Sequence, residues 1–425
     1  MKRHHSLALR LLACAVLLAC LAVATVAWLN LRGEQPVSDS IATAPPPPEQ
    51  VQRGAYLARA GNCAACHTDR GGAAYAGGKA LATPFGTVYA SNLTPDDATG
   101  LGRWSADHFW RALHHGRSRD GRLLYPAFPY TEYTQVTRED SDALYAFLRT
   151  IPAIRQPNQA HDLRFPYGSQ ASLAVWRALY FRPGVFEPEP GQSAEWNRGA
   201  YLVRGLGHCA ACHAPRNFMG ATQNGLALEG GLMPMQNWYA PSLATPAEAG
   251  VQDWSTADVV ELLKNGTSAK GTAIGPMAEV VYASTQYLSD PDLRAMAAFL
   301  RDLPRHAPTG QPAPRANPAV LELGARLYKA QCAECHGDSG EGRGSAYPAL
   351  AGHRTVTQAS SANLVKVILH GGFAPTTQGN PRPYGMPPFG PSLDDADIAA
   401  LASYVRAAWG NSASGVTPFD VNRVR

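Results

Sequence analysis

The pentapeptide Cys-x-x-Cys-His occurs three times, at Cys63–His67, Cys209–His213 and Cys332–His336, and no other feature constrains the fold as tightly. Two thiols and an imidazole at that offset on one short helix form the attachment sequence for c-type haem. The thiols add to the porphyrin vinyl groups, and the histidine presents a ring nitrogen to one face of the iron. Zinc also uses Cys-x-x-Cys, but a structural zinc site needs four ligands and usually pairs two such hooks. Of the eight cysteines, six lie in the motifs and the others, Cys14 and Cys20, in an apolar N-terminal stretch, which leaves none for a structural disulfide. Cysteines committed to haem imply an oxidising compartment outside the cytoplasm.

The formal charge of +4 is accounted for by Lys2, Arg3, Arg10 and Arg32; beyond them the chain carries 33 basic and 33 acidic side chains. A neutral body excludes a nucleic-acid partner. From Leu11 to Leu31 no residue is charged, and 21 residues are enough to cross a bilayer as a helix. Ala22-Val23-Ala24 offers a signal-peptide cleavage site, but Val26 to Leu31 continue the apolar run and Trp28 suits an interface. Lipid attachment at Cys20 is a third reading. Residues 1–32 are therefore expected to anchor the chain, with the basic start in the cytoplasm and the body outside the bacterial inner membrane, on its periplasmic face.

Pro45 to Pro48 make a stiff linker, so that residues 33–48 separate anchor from body. A module is then written three times. Arg53-Gly54-Ala55-Tyr56-Leu57, Arg198-Gly199-Ala200-Tyr201-Leu202 and Leu323-Gly324-Ala325-Arg326-Leu327-Tyr328 precede the three motifs at nearly equal distances. A landmark follows each motif: Tyr89-Ala90-Ser91-Asn92-Leu93-Thr94, Tyr239-Ala240-Pro241-Ser242-Leu243 and Tyr347-Pro348-Ala349-Leu350. Ser105 to Gly116, Ser255 to Gly266 and Ser361 to Gly371 then bound short helices, from N-cap to C-terminal glycine. Thr137 with Asp140, Ser289 with Asp292 and Ser392 with Asp395 open a last helix, in which Tyr145, Phe299 and Tyr404 are expected to meet the first helix.

Modules this small use a buried prosthetic group as core filler. The expected architecture is all-α: three tandem class I cytochrome c domains after an N-terminal membrane helix. They occupy residues 49–190, 191–313 and 314–412, with a tail at 413–425. The first two are joined through residues 152–194 and the last two through the proline-rich stretch Pro304 to Pro318.

An electron-carrying cytochrome fills the second iron face with methionine, whose soft thioether favours Fe(II) and raises the potential. Met277 lies 64 residues past His213 and Met386 lies 50 past His336, both in the loop before the last helix, whereas Met296 sits within a helix as a core residue. The first module has no methionine, and Phe128 stands where a ligand is expected. Its haem is five-coordinate or water-bound, or takes a ligand from His108, His114, His115, His161 or a tyrosine. The predicted set is therefore Cys63, Cys66, Cys209, Cys212, Cys332 and Cys335 for covalent attachment of three haem c groups, with His67, His213, His336, Met277 and Met386 on iron.

The body from Gln52 to Trp409 resembles the trihaem cytochrome c subunits of bacterial membrane-bound periplasmic dehydrogenases, the group that includes those of alcohol and gluconate dehydrogenases. The resemblance rests on Gly54-Ala55-Tyr56-Leu57, Thr83-Pro84-Phe85-Gly86, Asn92-Leu93-Thr94-Pro95, Leu124-Tyr125-Pro126-Ala127, Trp196 to Leu202 and Gly207-His208-Cys209 through Asn217. It implies a non-catalytic subunit that accepts electrons from a separate catalytic chain, a quinoprotein or flavoprotein, and passes them to ubiquinone or a terminal oxidase. Phe128 departs from the methionine usual in the alcohol and gluconate branches. The form Pro-Ala-Phe-Pro-Tyr looks more like relatives paired with molybdenum hydroxylases. No Rossmann, Walker or catalytic-triad signature gives the chain a substrate chemistry of its own. The competing function is a haem enzyme using an open first haem for peroxide, nitrogen oxide or oxygen chemistry; a redox or gas sensor is a further alternative, without a signalling domain to support it.

Overall fold

A computed structural model describes residues 2–222, 227–307, 314–344 and 346–425; part of the proline-rich stretch Pro304 to Pro318, residues 308–313, lies outside the described residues. The chain forms two compact units, one of Met1–Gly54 with His67–Phe186, the other of Ala55–Cys66 with Glu187–Arg425.

The first unit opens with helix α1 (Lys2–Leu31). Its stretch His5–Leu31 is long and apolar enough to cross a membrane and is exposed over most of its length, with Asn30 near its end buried. Helix α2 (Pro48–Ala60) takes Pro48 into its first turn, where a missing N–H costs nothing, and α3 (Cys63–His67) carries the first motif; the division between the units falls within these two helices, after Gly54 and after Cys66. Strands β1 (Ala80–Thr83), β2 (Gly86–Tyr89) and β3 (Asp162–Leu163) form a small antiparallel sheet in that order. Helices α4 (Ala106–His115), α5 (Arg138–Leu148) and α6 (Gln170–Tyr180) complete the unit. Ser105 accepts from the His108 N–H at the start of α4, and Gly116 ends it at φ 56°. Thr137 accepts from Asp140 N–H at the start of α5. Residues 152–186 are more than a joiner: they supply β3 and α6, and α6 buries Leu173 and Trp176 within the first unit.

In the second unit, α7 (Ala194–Tyr201) runs into one π-helical turn, Leu202–Leu206, before α8 (Ala210–His213). Helices α9 (Thr256–Asn265) and α10 (Asp290–Arg301) follow. The remainder contains α11 (Pro318–Gln331), α12 (Ala333–His336), α13 (Ala362–His370), α14 (Asp395–Ala407) and α15 (Pro418–Val424). Ser255 and Gly266 bound α9, and Ser289 caps α10, as their spacing implies. Ser361 precedes α13 without a side-chain capping bond. The cap of α14 is Asp394, which accepts from Asp397 N–H, rather than Ser392. Two overlapping Ser/Asp registers compete in Ser392-Leu393-Asp394-Asp395, and Ser392 is spent in a turn, donating to Phe389 O. The C-terminal helix α15 packs Val421 and Val424 into the same core as Val365, Ile398 and Leu401. Arg406, fully buried beside them, gives its guanidinium protons to Val356 O, Gln358 O and Ser414 O. Burial lowers it to about 10, so it stays charged at neutral pH and is satisfied by carbonyl dipoles.

One helix crossing recurs. A Cβ placed on Gly54, Gly199 or Gly324 would lie 1.9, 1.9 and 2.1 Å from the carbonyl oxygens of Ala143, Ala295 and Ala400. In each module the first helix therefore meets the last one backbone to backbone, and only glycine permits the approach. The aromatic side chains against these glycines are Phe147, Phe299 and Tyr404. Tyr145 does not take that place: it turns to Phe109 of α4, ring centroids 5.8 Å apart, and donates to Trp104 O. An ion pair spans the crossing twice, Arg53 with Asp140 at 2.6 Å and Arg198 with Asp292 at 2.8 Å, while Leu323 takes the arginine's place in the third module.

Gly324→Ala should lower the unfolding free energy by about 1–3 kcal/mol, the cost of overpacking a tight contact. Gly372→Ala in the same module, where a Cβ meets nothing within 4 Å, should change it little. Denaturant unfolding of the two holoproteins followed by circular dichroism compares them; equal midpoints would show that the crossing tolerates a side chain.

Candidate functional site

Each motif lies on a single helical turn, Cys63–His67, Ala210–His213 after Cys209, or Ala333–His336 after Cys332. The turn brings both cysteines and the histidine to one end of the module's first helix. The histidines are then fixed in the same way three times. Nδ1 of His67 lies 2.7 Å from Ser91 O, that of His213 2.7 Å from Pro241 O, and that of His336 2.9 Å from Pro348 O. A ring nitrogen facing a carbonyl must carry the proton, so Nε2 keeps its lone pair and the ring is held at one angle. Burial lowers the pKa of His67 and His213, against the opposing pull of the carbonyl bond, and favours the neutral, ligating form.

The acceptor carbonyls belong to the repeated landmarks, whose role their sequence did not disclose. A second clamp also escaped the sequence reading. The N–H of Gly77, Gly230 and Gly342 donates to the carbonyl of His67, His213 and His336 at 2.8, 2.7 and 2.8 Å. All three glycines have positive φ, 79°, 80° and 73°. A Cβ on any of them would strike the passing landmark backbone at about 2.5 Å, so the clamp requires glycine twice over. The landmark of the second module is pinned further. Asn363 brackets Tyr239, accepting from its N–H at 2.9 Å and donating to its carbonyl at 2.7 Å. Buried Glu248 accepts from the Tyr239 hydroxyl and from Ser242 N–H.

Burial pushes the thiols of Cys63 and Cys209 up to about 12 and that of Cys332 to about 11. Such thiols stay protonated at neutral pH, and among the described residues no three His, Cys, Asp or Glu side chains converge as a metal cluster. The donor set fits covalent haem, two thiols and one oriented imidazole, rather than a four-thiolate or mixed zinc site.

The loops proposed for the second ligand differ among modules. In the first, Arg117 bridges Leu123 and Leu124 N–H donates to Gly116 O. In the second, Thr267 pairs with Thr272 and Ala273 N–H donates to Gly266 O. Counting five residues on from the paired position reaches Phe128 in one and Met277 in the other, so the two share a count from the cap, although Phe128 precedes the short helix Tyr130–Tyr133. Met277 lies in the first turn of the helix Pro276–Ala283 and is half-buried. Phe128 is also half-buried, 5.4 Å from the ring of Tyr133. Met386 follows another register: it is itself the residue paired with Gly372 and packs against the core of the third module. Met296 is buried in α10.

The histidines considered for the first module all have structural partners. His108 Nδ1 accepts from Ser105 N–H in a capping box. His114 places Nδ1 2.8 Å from Thr134 O and stacks on Trp110. His115 is buried, and desolvation, reinforced by the neighbouring His114, Arg177, Arg117 and Arg111, lowers its pKa to about 4. His161, exposed, accepts from Tyr89 N–H.

The family model described as cytochrome c matches residues 51–152, 197–304 and 321–409. The cytochrome c subunit of the quinone-dependent alcohol dehydrogenase of Gluconacetobacter polyoxogenes is 39% identical over 394 residues, 88% of this chain and 84% of that protein. The fructose dehydrogenase cytochrome subunit of Gluconobacter japonicus is 36% identical over 435 residues, 95% of this chain and 87% of that one. One of the nicotinate dehydrogenase subunits of Pseudomonas putida is 43% identical over 363 residues, 84% of this chain but 30% of that longer protein. The three matched segments each enclose one motif, one clamped histidine and one glycine crossing, on a mostly helical scaffold behind a single apolar N-terminal helix. The chain thus belongs to the cytochrome c family, whose domains carry covalently bound haem c, and stands there among the cytochrome subunits of dehydrogenases rather than their catalytic subunits.

Proposed function

We propose that the chain relays electrons through three covalent haem c groups, one in each of residues 49–190, 191–313 and 314–412, from the catalytic subunit of a dehydrogenase to ubiquinone or a terminal oxidase. The reading is carried by the threefold identity of the site, in which each motif histidine has its Nδ1 against a landmark carbonyl. Haem supplies a one-electron Fe(III)/Fe(II) couple. Cys63 and Cys66, Cys209 and Cys212, and Cys332 and Cys335 fasten it, and His67, His213 and His336 ligate through Nε2. Met277 and Met386 complete two of the sites, and Phe128 denies the first a thioether. The catalytic partner is a quinoprotein, flavoprotein or molybdenum hydroxylase, in keeping with relatives named for alcohol, fructose and nicotinate dehydrogenases. Helix α1 anchors the chain at the periplasmic face of the inner membrane.

A cavity of about 580 Å³ favours the quinone as acceptor. It lies beside the Phe128 loop and is lined by Leu124, Tyr125, His161, Leu163, Phe165 and Leu173 among others. Its lining is mixed, with Arg122, Ser169 and Gln170 beside the apolar groups, and with its phenol and imidazole it suits a ring bearing two carbonyls.

Intact-mass measurement of periplasmically matured protein should show three added haems; two or fewer would overturn the assignment. Phe128→Met should raise the potential of one haem and enlarge the methionine–iron absorption band, because it restores a thioether at the position Met277 holds. An unchanged band would mean that the two positions are not equivalent at the iron. Ala160→Trp, which places bulk in the cavity wall, should slow ubiquinone reduction severalfold while leaving reduction of a soluble dye unchanged. Equal loss with both acceptors would remove the cavity from the path.

A further inference from the structure

The end of α1 is held by polar groups. Asn30 is buried; its Nδ2 donates to Ala174 O in the middle of α6 at 2.9 Å, and its Oδ1 accepts from Arg177 Nε at 2.9 Å. Arg117 donates to Asn30 O at 3.1 Å and pairs with Glu34 at 2.9 Å. Arg177 is itself buried, with its guanidinium over the rings of Tyr130 and Phe181. These bonds set α6 at the level of the last turn of α1, where Trp28 and Leu31 are still exposed.

The outer side of α6 is apolar and uncovered. Ala171, Val175 and Leu179, at four-residue spacing, form an exposed stripe on one side of the helix. Phe165, in the turn before α6, is 92% exposed. No charged side chain interrupts the stripe, while the exposed Arg164 and Arg182 flank it. A uniformly apolar stripe with basic flanks, fixed beside the end of a candidate membrane span, has the make-up of a helix lying in a lipid interface.

We propose that α6 and Phe165 rest in the headgroup and acyl boundary of the bilayer that α1 crosses, so that the first module is seated on the membrane and not merely tethered to it. This inference rests on the reading of α1 as an anchor.

The full-length holoprotein, with Cys14→Ser and Cys20→Ser, can be spin-labelled at Val175→Cys or Leu179→Cys and placed in nanodiscs of phosphatidylcholine and phosphatidylglycerol. Leu18→Cys reports the span and Asp120→Cys the water. Collision of the label with oxygen, which partitions into lipid, and with a water-soluble nickel chelate reads its surroundings. Labels at 175 and 179 should behave as at 18, with nickel collision several-fold below that at 120. If they match 120 while 18 lies in lipid, the seating is overturned and the anchor stands. Shielding from both reagents would show protein covering the stripe and also overturns the seating. A mature chain lacking α1 sinks both readings.

Discussion

The imidazole of each motif must be neutral at one nitrogen, protonated at the other and fixed in angle, and much of the module is arranged to secure this. The proton is fixed by a carbonyl of the landmark segment, which must pass close to the histidine. That approach is open only because Gly77, Gly230 and Gly342 lack a side chain. The motif turn is in its turn held by the first helix, which is locked against the last by a second glycine contact. Two backbone approaches, both needing glycine, thus orient one ring in modules too small to build a large apolar core.

Where the modules agree, they agree in backbone contacts, and one place where they differ lies between the Gly116, Gly266 or Gly371 cap and the last helix. Phe128 and Met277 share a count from the glycine cap, so the loop of the first module carries an aromatic ring where that of the second carries a thioether. The third loop reaches the same region by a longer excursion, with Met386 in the paired strand itself. Since thioether ligation raises the potential, the ligation proposed for Met277 and Met386 would let this stretch set the redox order without disturbing the crossing or the clamp.

Much of this was legible in the sequence because it depends on short-range chemistry. The motifs, the caps Ser105, Thr137, Ser255 and Ser289, and the crossing glycines are local patterns with one physical meaning. Ser392 misled because Asp394 offers an equally good cap two residues on. Tyr145 misled because Phe147, at the true contact position, is also aromatic, and only the register against Ala143 separates them. The clamping glycines were hidden among a total of 40, since a positive φ leaves no trace in residue identity. Residues 152–186 looked like a joiner because their order depends on partners far away in sequence, above all Asn30 with Arg177.

The glycine crossings also bear on how such a chain arises. A module whose first and last helices touch takes in the chain and releases it at one place. Neighbouring chain ends of this kind are what allow a domain to be copied in tandem, since a new copy needs only a connector and leaves the interior of the old one intact. The crossing that packs a single module therefore also makes it a unit of duplication. Stretches as unlike as residues 152–194, most of which fold into the first unit, and the proline-rich stretch after Leu303 can then follow copies that keep the same internal contacts.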